Sequence, residues 1–222
     1  MGPALSPTSD RTRVRRLPEK QVEDRVVLDA ILDAGRVAHV AVLDETGRPY
    51  VLPVGYARNG DSVLFHGSTA SRLFRSLAAG AETCLTVTRY DGLVLARSTF
   101  ESSMHYRCAM VLGRAHQLDG RAKLQALEAI TEHLMPGRWV EARHPNSKEL
   151  AATLVLELPL TEWSVKVSDG PPDDALEDLS RDVWAGVVPV RETYGEPQPA
   201  PDLRPGTPLP GYVGTWEAES RP

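Results

Sequence analysis

The sequence predicts a mainly β chain: an antiparallel barrel with peripheral helices. Three observations lead there. About seven short stretches rich in Val, Leu and Ala recur between Arg36 and Val167. Hairpin signals join most of them, Asn59-Gly60 being the strongest. Only three stretches carry helical periodicity, too few for the crossovers of a parallel α/β sheet.

Residues 1–17 are polar and Arg-rich, with Pro3 and Pro7, and are expected to form a flexible arm. Pro18 opens a helical pattern through Val22, Val26, Val27, Leu28, Ile31 and Leu32, which stops at Gly35. Arg36 to Leu43 reads as a strand and Asp44-Glu45-Thr46-Gly47 as a turn. Tyr50 to Tyr56 is a second strand, in which Pro53 calls for an edge or a bulge. Ser62 to His66 completes the hairpin. The small residues Gly67-Ser68-Thr69-Ala70-Ser71 lead into a short helix, Arg72 to Ala79, ended by Gly80.

Glu82 to Thr88 and Leu93 to Ala96 read as strands about a turn at Asp91-Gly92. Tyr106 to Leu118 is a long strand bent at Gly113. Arg121 to Leu134 is an amphipathic helix through Leu124, Leu127 and Ile130, closed by Pro136-Gly137. Ala152 to Leu158 and Thr161 to Val167 are the last two strands. The domain organisation is thus an arm (1–17), a barrel (18–170) and a Pro-rich acidic extension (171–222).

Charge separates the extension from the barrel. The chain has 222 residues and a net charge of −5. Residues 171–222 hold ten of the 18 prolines and ten acids against four arginines, so they carry −6 and the rest +1. The near-neutral barrel can accept an anion, whereas nucleic acid is not expected as a partner. Asp173 to Asp182 reads as a solvated linker. Trp184, Val187, Val188 and Trp216 are expected to anchor the extension as a wrap around the barrel. Two cysteines exclude a disulfide scaffold and a four-thiolate zinc site. Cys84 and Cys108 read as free thiols in the core. No apolar run approaches the ~18 residues of a membrane helix, and no hydrophobic stretch follows the N-terminal arginines as in a signal peptide. The expected compartment is the cytoplasm.

The segment Val63 to Ala79 carries the clearest chemistry. Small residues let backbone N–H groups crowd an anion, and Arg72 supplies charge. It is no nucleotide P-loop, since no Gly-Lys-Ser/Thr follows. Ser71 is read two ways, as a helix cap or as a phosphate contact. Arg107 is likewise a ligand contact or a barrel-end ion pair. His105 and His116 lack metal-ligand spacing, and His133 and His144 are expected in solvent. Ser98, Ser102 and Ser103 lack a His–acid arrangement for hydrolysis.

Several segments resemble the flavin-binding split-barrel superfamily, which includes pyridoxamine 5′-phosphate oxidase, and most of all its nitroimidazole-resistance-like branch. They are Arg48-Pro49-Tyr50-Val51-Leu52-Pro53-Val54-Gly55-Tyr56, then Leu64-Phe65-His66-Gly67-Ser68 with Ser71-Arg72, then His105-Tyr106-Arg107 and the strand through Gly113. The resemblance runs over roughly residues 11–190 and implies a split β-barrel that binds FMN. It implies that Val51, Leu52, Pro53, Val54, Gly55 and Tyr56 run along the isoalloxazine ring. It sets His66, Gly67, Ser68, Ser71 and Arg72 at the ribityl phosphate. Arg107 would contribute from the next strands across a dimer interface. On a strand, Val51, Pro53 and Gly55 share one face and Leu52, Val54 and Tyr56 the other.

The match departs from the oxidases themselves. Leu73 stands where they place a lysine after Ser-Arg, and Tyr56 stands at their substrate-phosphate lysine. No Arg-x-His follows Trp184. The expected function is therefore an FMN-dependent oxidoreductase that passes hydride or electrons to a small molecule other than vitamin B6. His66 beside the cofactor is either a proton donor or acceptor or a simple hydrogen-bond partner. A homodimer with the flavin between subunits is expected. The alternative is a non-catalytic barrel that stores or senses flavin, or holds haem on His66, His105 or His116.

Overall fold

A computed structural model describes residues 9–44 and 46–216. The arm and the extension thus continue outside the described residues at 1–8 and 217–222, as does Glu45 of the expected turn. A 3₁₀ turn at Pro18–Lys20 leads to β1 (Gln21–Val22) and then α1 (Arg25–Ala34). The helix starts seven residues after Pro18 because Asp24 caps it, accepting from the Val26 N–H at 2.8 Å. There follow β2 (Val37–Leu43), β3 (Pro49–Asn59), β4 (Ser62–Ser68), α2 (Arg72–Ala78), β5 (Glu82–Leu95) and β6 (Ser103–Arg114). β7 (His116–Gln117), α3 (Gly120–Leu134), α4 (Arg138–Glu141), α5 (Ser147–Ala151), β8 (Thr153–Pro159), β9 (Glu162–Ser168) and β10 (Gly186–Pro189) complete the chain.

The strands form one antiparallel ladder in the order β1-β9-β6-β5-β2-β3-β4-β8-β7, with β10 added to β5. The ladder does not close, so the barrel is split. α1 fills its interior with Leu28, Ile31 and Leu32, whose spacing puts them on one helix face. They meet Val40, Tyr56, Leu85, Val111 and Trp163 in the main core. α3 covers the outer face of β3, β4 and β8, packing Ala126 and Ile130 on Ala57, Leu64 and Val155.

Several sequence expectations change. Asp91-Gly92 is a β-bulge within the continuous β5, and residues 96–102 make the turn to β6. Gly92 is needed there because a Cβ would lie 2.8 Å from the Val188 carbonyl oxygen of β10. Cys84 and Cys108 are unpaired, as expected, but half-buried on the outer sheet face. Alternation along β5 gives the buried face to Leu85 and Val87 instead. His133 is half-buried, with Nε2 2.7 Å from the Gly35 carbonyl oxygen.

The described part of the arm, residues 9–17, is not loose. Thr12 is buried, and Arg11 forms ion pairs with Glu82 and Glu162 across β5 and β9. The extension runs along the barrel as a strap. Asp174 accepts from the Arg97 backbone N–H at 2.6 Å and from its guanidinium at 2.9 Å. Its side chain is 2 % exposed, so this acid is no part of a solvated linker. Trp184 is 65 % exposed, so β10 is held by strand pairing rather than by that ring. Farther on, the Trp216 indole N–H donates to the Pro136 carbonyl oxygen at 3.1 Å.

Candidate functional site

The break in the barrel makes the candidate site. β3 and β4 pair only where Tyr56–Asn59 meets Ser62–Phe65. Upstream, Pro49–Gly55 pairs with β2 alone, so its other edge is open. Downstream, His66–Ser68 pairs with β8. The two strands therefore part at Tyr56 and Phe65, and a cleft opens between them. One wall is the free edge of β3. The other holds His66, Gly67 and Ser68, then Ser71 and Arg72 at the start of α2. Pro53 lies on the one-sided stretch, where a strand tolerates a missing N–H.

The exposed part of the β3 wall is Val51, Leu52 and Pro53, with Val51 53 % and Leu52 44 % exposed. Val54 is half-buried against the core. Gly55 faces Leu134 of α3, which a Cβ would meet at 2.8 Å. Tyr56 is fully buried, and its hydroxyl donates to the Leu32 carbonyl oxygen at 2.6 Å. The ring expectation is therefore corrected at Gly55 and Tyr56. Their surfaces are spent on packing, because β3 gains β4 and α3 as neighbours beyond Val54.

On the opposite wall, a Cβ at Gly67 would run into the Phe74 ring, so glycine lets α2 fold back onto β4. Ser68 accepts from the Ala70 N–H at 3.1 Å and shapes the loop. Ser71 occupies the N-cap position of α2 but makes no side-chain cap bond, so the helix-cap reading of its hydroxyl fails. Arg72 lies over the Tyr50 ring, 4.6 Å from its centroid, and makes no ion pair among the described residues. His66 is exposed on β4, and partial desolvation of its ring pushes its pKa below the ordinary imidazole value. It is neutral at pH 7 and able to take a proton.

Arg107 is not part of this cleft within one chain. It pairs with Arg89 on β5, six residues along β6 from Gly113, or about 20 Å of strand. Tyr50 sits near the Gly113 end, through Val42 of β2 and its neighbour Thr83. Arg107 instead holds Asp91 through Nε at 2.9 Å and Nη2 at 2.7 Å, and the pair raises its pKa.

Two residues at the cleft lie outside the sequence expectation. The Tyr50 hydroxyl is buried with no hydrogen-bond partner among the described residues, an uncommon state for a buried polar group. His39 is cross-strand from Pro53 and shares its face. Tyr50 had a signal, an aromatic opening the strand that ends in the core. His39 had none beyond strand alternation.

These residues suit a flavin: a flat apolar edge on one wall, and on the other a guanidinium with no close ion pair among the described residues and two serine hydroxyls. Haem needs an axial nitrogen. His39, His66, His105 and His116 make no hydrogen bond among the described residues and so keep one to offer.

Comparison with known proteins agrees. The chain is 46% identical to the FAD and haem binding protein from Mycobacterium smegmatis, with a TM-score of 0.84 over 88% of this chain and 96% of that one. It is 40% identical to the flavocytochrome Anf3 from Azotobacter vinelandii, with a TM-score of 0.88 over 96% and 98%. A candidate 5-nitroimidazole antibiotic resistance protein from Bacteroides thetaiotaomicron shares the fold at 21% identity and a TM-score of 0.56, over 66% and 86%. No curated protein sequence matches. The profile of the pyridoxamine 5′-phosphate oxidase family matches residues 24–167, and the chain belongs to that family of flavin-binding split barrels.

Proposed function

We propose that this protein is a flavin-dependent redox protein that passes hydride or electrons to a small molecule, with the flavin in the cleft between β3 and β4. The carrying observation is that the cleft joins an open apolar strand edge to the Arg72 guanidinium, which lies over Tyr50, makes no close ion pair among the described residues, and is felt by Asp44 only at longer range. A bound flavin supplies one- and two-electron transfer chemistry. Val51, Leu52 and Pro53 would flank its ring and exclude water. Ser71 and Arg72 would hold its phosphate, which gains from a planar donor fork. His66 would take or return a proton at its ring nitrogen. The phosphate loop favours FMN as the cofactor. FAD is the form named for the Mycobacterium smegmatis relative.

A second reading adds a haem. The Mycobacterium smegmatis relative is named for haem as well as FAD and the Azotobacter vinelandii one as a flavocytochrome, and they cover 88% and 96% of this chain. Loss of the lysine positions at Leu73 and Tyr56 supports a substrate other than vitamin B6. The proposal includes a homodimer and a cytoplasmic setting. Exposed apolar residues on one sheet face support the first, and two unpaired thiols support the second.

The visible spectrum of the purified protein tests this. Flavin is expected to give two bands in the blue and near-ultraviolet, and added haem a sharp Soret band. Arg72→Gln should weaken flavin affinity by about tenfold or more while leaving thermal stability unchanged. A colourless protein that takes up neither FMN nor FAD on titration would sink the proposal.

A further inference from the structure

A second site lies under the strap, at the end of the sheet away from Arg72. It is a groove of about 530 Å³, within the size range of small-molecule sites. Its lining is weighted toward guanidinium: Arg36, Arg89, Arg107 and Arg191. The acids facing them are largely committed. Asp33 is held by Arg58 at 2.7 Å, and Asp91 is held by both nitrogens of Arg107. Arg36 spends Nη1 on the carbonyl oxygens that end α1, while its Nε is buried without a partner among the described residues. Arg191 makes no ion pair among the described residues.

The third acid, Glu192, comes from the strap. Its carboxylate accepts from Arg89 Nη1 at 2.6 Å, although Glu192 itself is 68 % exposed. Arg89 is also fixed from behind by the Ala34 carbonyl oxygen at 3.0 Å. A positioned guanidinium thus meets an anion delivered by a solvent-facing segment. Tyr90 and Tyr194, each 40 % exposed, border the same groove; the Tyr194 ring also tilts against Trp216, with centroids 5.6 Å apart.

We propose that this groove binds a small phosphorylated molecule with a planar ring, of the nucleotide class, and that Glu192 occupies the phosphate position until the ligand arrives. The phosphate would bridge Arg89 and Arg191, with Arg36 Nε behind them, and the ring would lie on Tyr90 or Tyr194. Displacing Glu192 breaks only an exposed ion pair, a weak contact. This proposal does not rest on the flavin reading, because it uses none of the residues of the β3–β4 cleft.

Calorimetric titration of the full chain with ADP, and with adenosine as the uncharged control, tests it. ADP is expected to bind at least about tenfold more tightly than adenosine. Glu192→Gln should tighten ADP binding by about two- to fivefold, since the internal competitor loses its charge. Arg89→Gln should weaken it by about tenfold or more. Arg72→Gln, at the other cleft, should leave it unchanged. The gain in Glu192→Gln cannot come from misfolding, so that arm stands even if Arg89→Gln folds poorly. No binding in either the natural chain or Glu192→Gln overturns the proposal. So does an unchanged or weaker affinity in Glu192→Gln, or a loss that follows Arg72 rather than Arg89.

Discussion

His133 shows how one residue senses the fold. Because the Gly35 carbonyl oxygen accepts, Nε2 must carry the proton, which fixes the neutral tautomer. The ring tilts against Tyr56, with centroids 5.4 Å apart. Burial is the main cause that lowers its pKa. The charges of Arg36 and Arg58 add to it, while the Gly35 bond and Asp33 oppose it. The folded state therefore binds a proton less readily than the unfolded chain. The stability tied to this neutral ring is complete above the ordinary imidazole pKa near 6.5 and is lost as pH falls through the depressed folded value. Denaturant titrations are expected to show stability falling below about pH 6.5, with a smaller fall in His133→Gln. Equal slopes in both proteins would remove His133 from the account. The sequence placed this histidine in solvent because Pro136-Gly137 follows it. Only the packing of α3 on β3 and of Tyr56 beneath it makes it interior.

Elements carry the next layer. The pair Asp91-Gly92 reads as a turn, since Asp-Gly favours tight hairpins. The chain instead runs straight on, and the glycine serves the close approach of β10. That partner lies about 95 residues later, so no local pattern announces it. Gly92→Val should push β10 off β5, because its Cβ would meet the Val188 carbonyl oxygen. We expect a loss of about 1–3 kcal/mol and new protease cleavage between Ser180 and Pro189. Unchanged melting and cleavage would mean that the strap is held elsewhere. The three expected helices and most strands follow their periodicity, with α1 stopping at Ala34 before Gly35 and α3 at Leu134 before Pro136. By contrast, α1 starts only at Arg25, and the short α4 and α5 were not legible. The strands that were not legible, β1 and β10, are two and four residues long. Their pairing, not their composition, makes them strands.

At the scale of the molecule, one sheet face stands uncovered. Val37, Leu43 and Val51 are each at least half exposed there, on cross-strand neighbours of β2 and β3. The face continues through Cys84 and Thr86 to Met110 and Cys108. A face of this kind on a split barrel fits a second copy better than solvent. Sedimentation is expected to give a species of about twice the 24.3 kDa chain. Met110→Lys, in the middle of the face, should shift it toward the single chain. A lone 24.3 kDa species in the natural protein at micromolar concentration would end the dimer proposal.

The sequence by itself determined the class of fold, the hairpin order, and the strand and loop that form the two walls of the cleft. Alternation, glycine and proline act within a few residues of themselves, so these features survive reading one stretch at a time. The tertiary structure decided which of those residues remain available. It buried Tyr56 and covered Gly55, because β4 and α3 arrive from elsewhere in the chain. It left the Ser71 hydroxyl uncapped and Arg72 over Tyr50, and it separated Arg107 from both. It also laid an acidic strap over an arginine-lined groove. Side-chain availability depends on neighbours distant in sequence, and those are set only when the sheet is assembled.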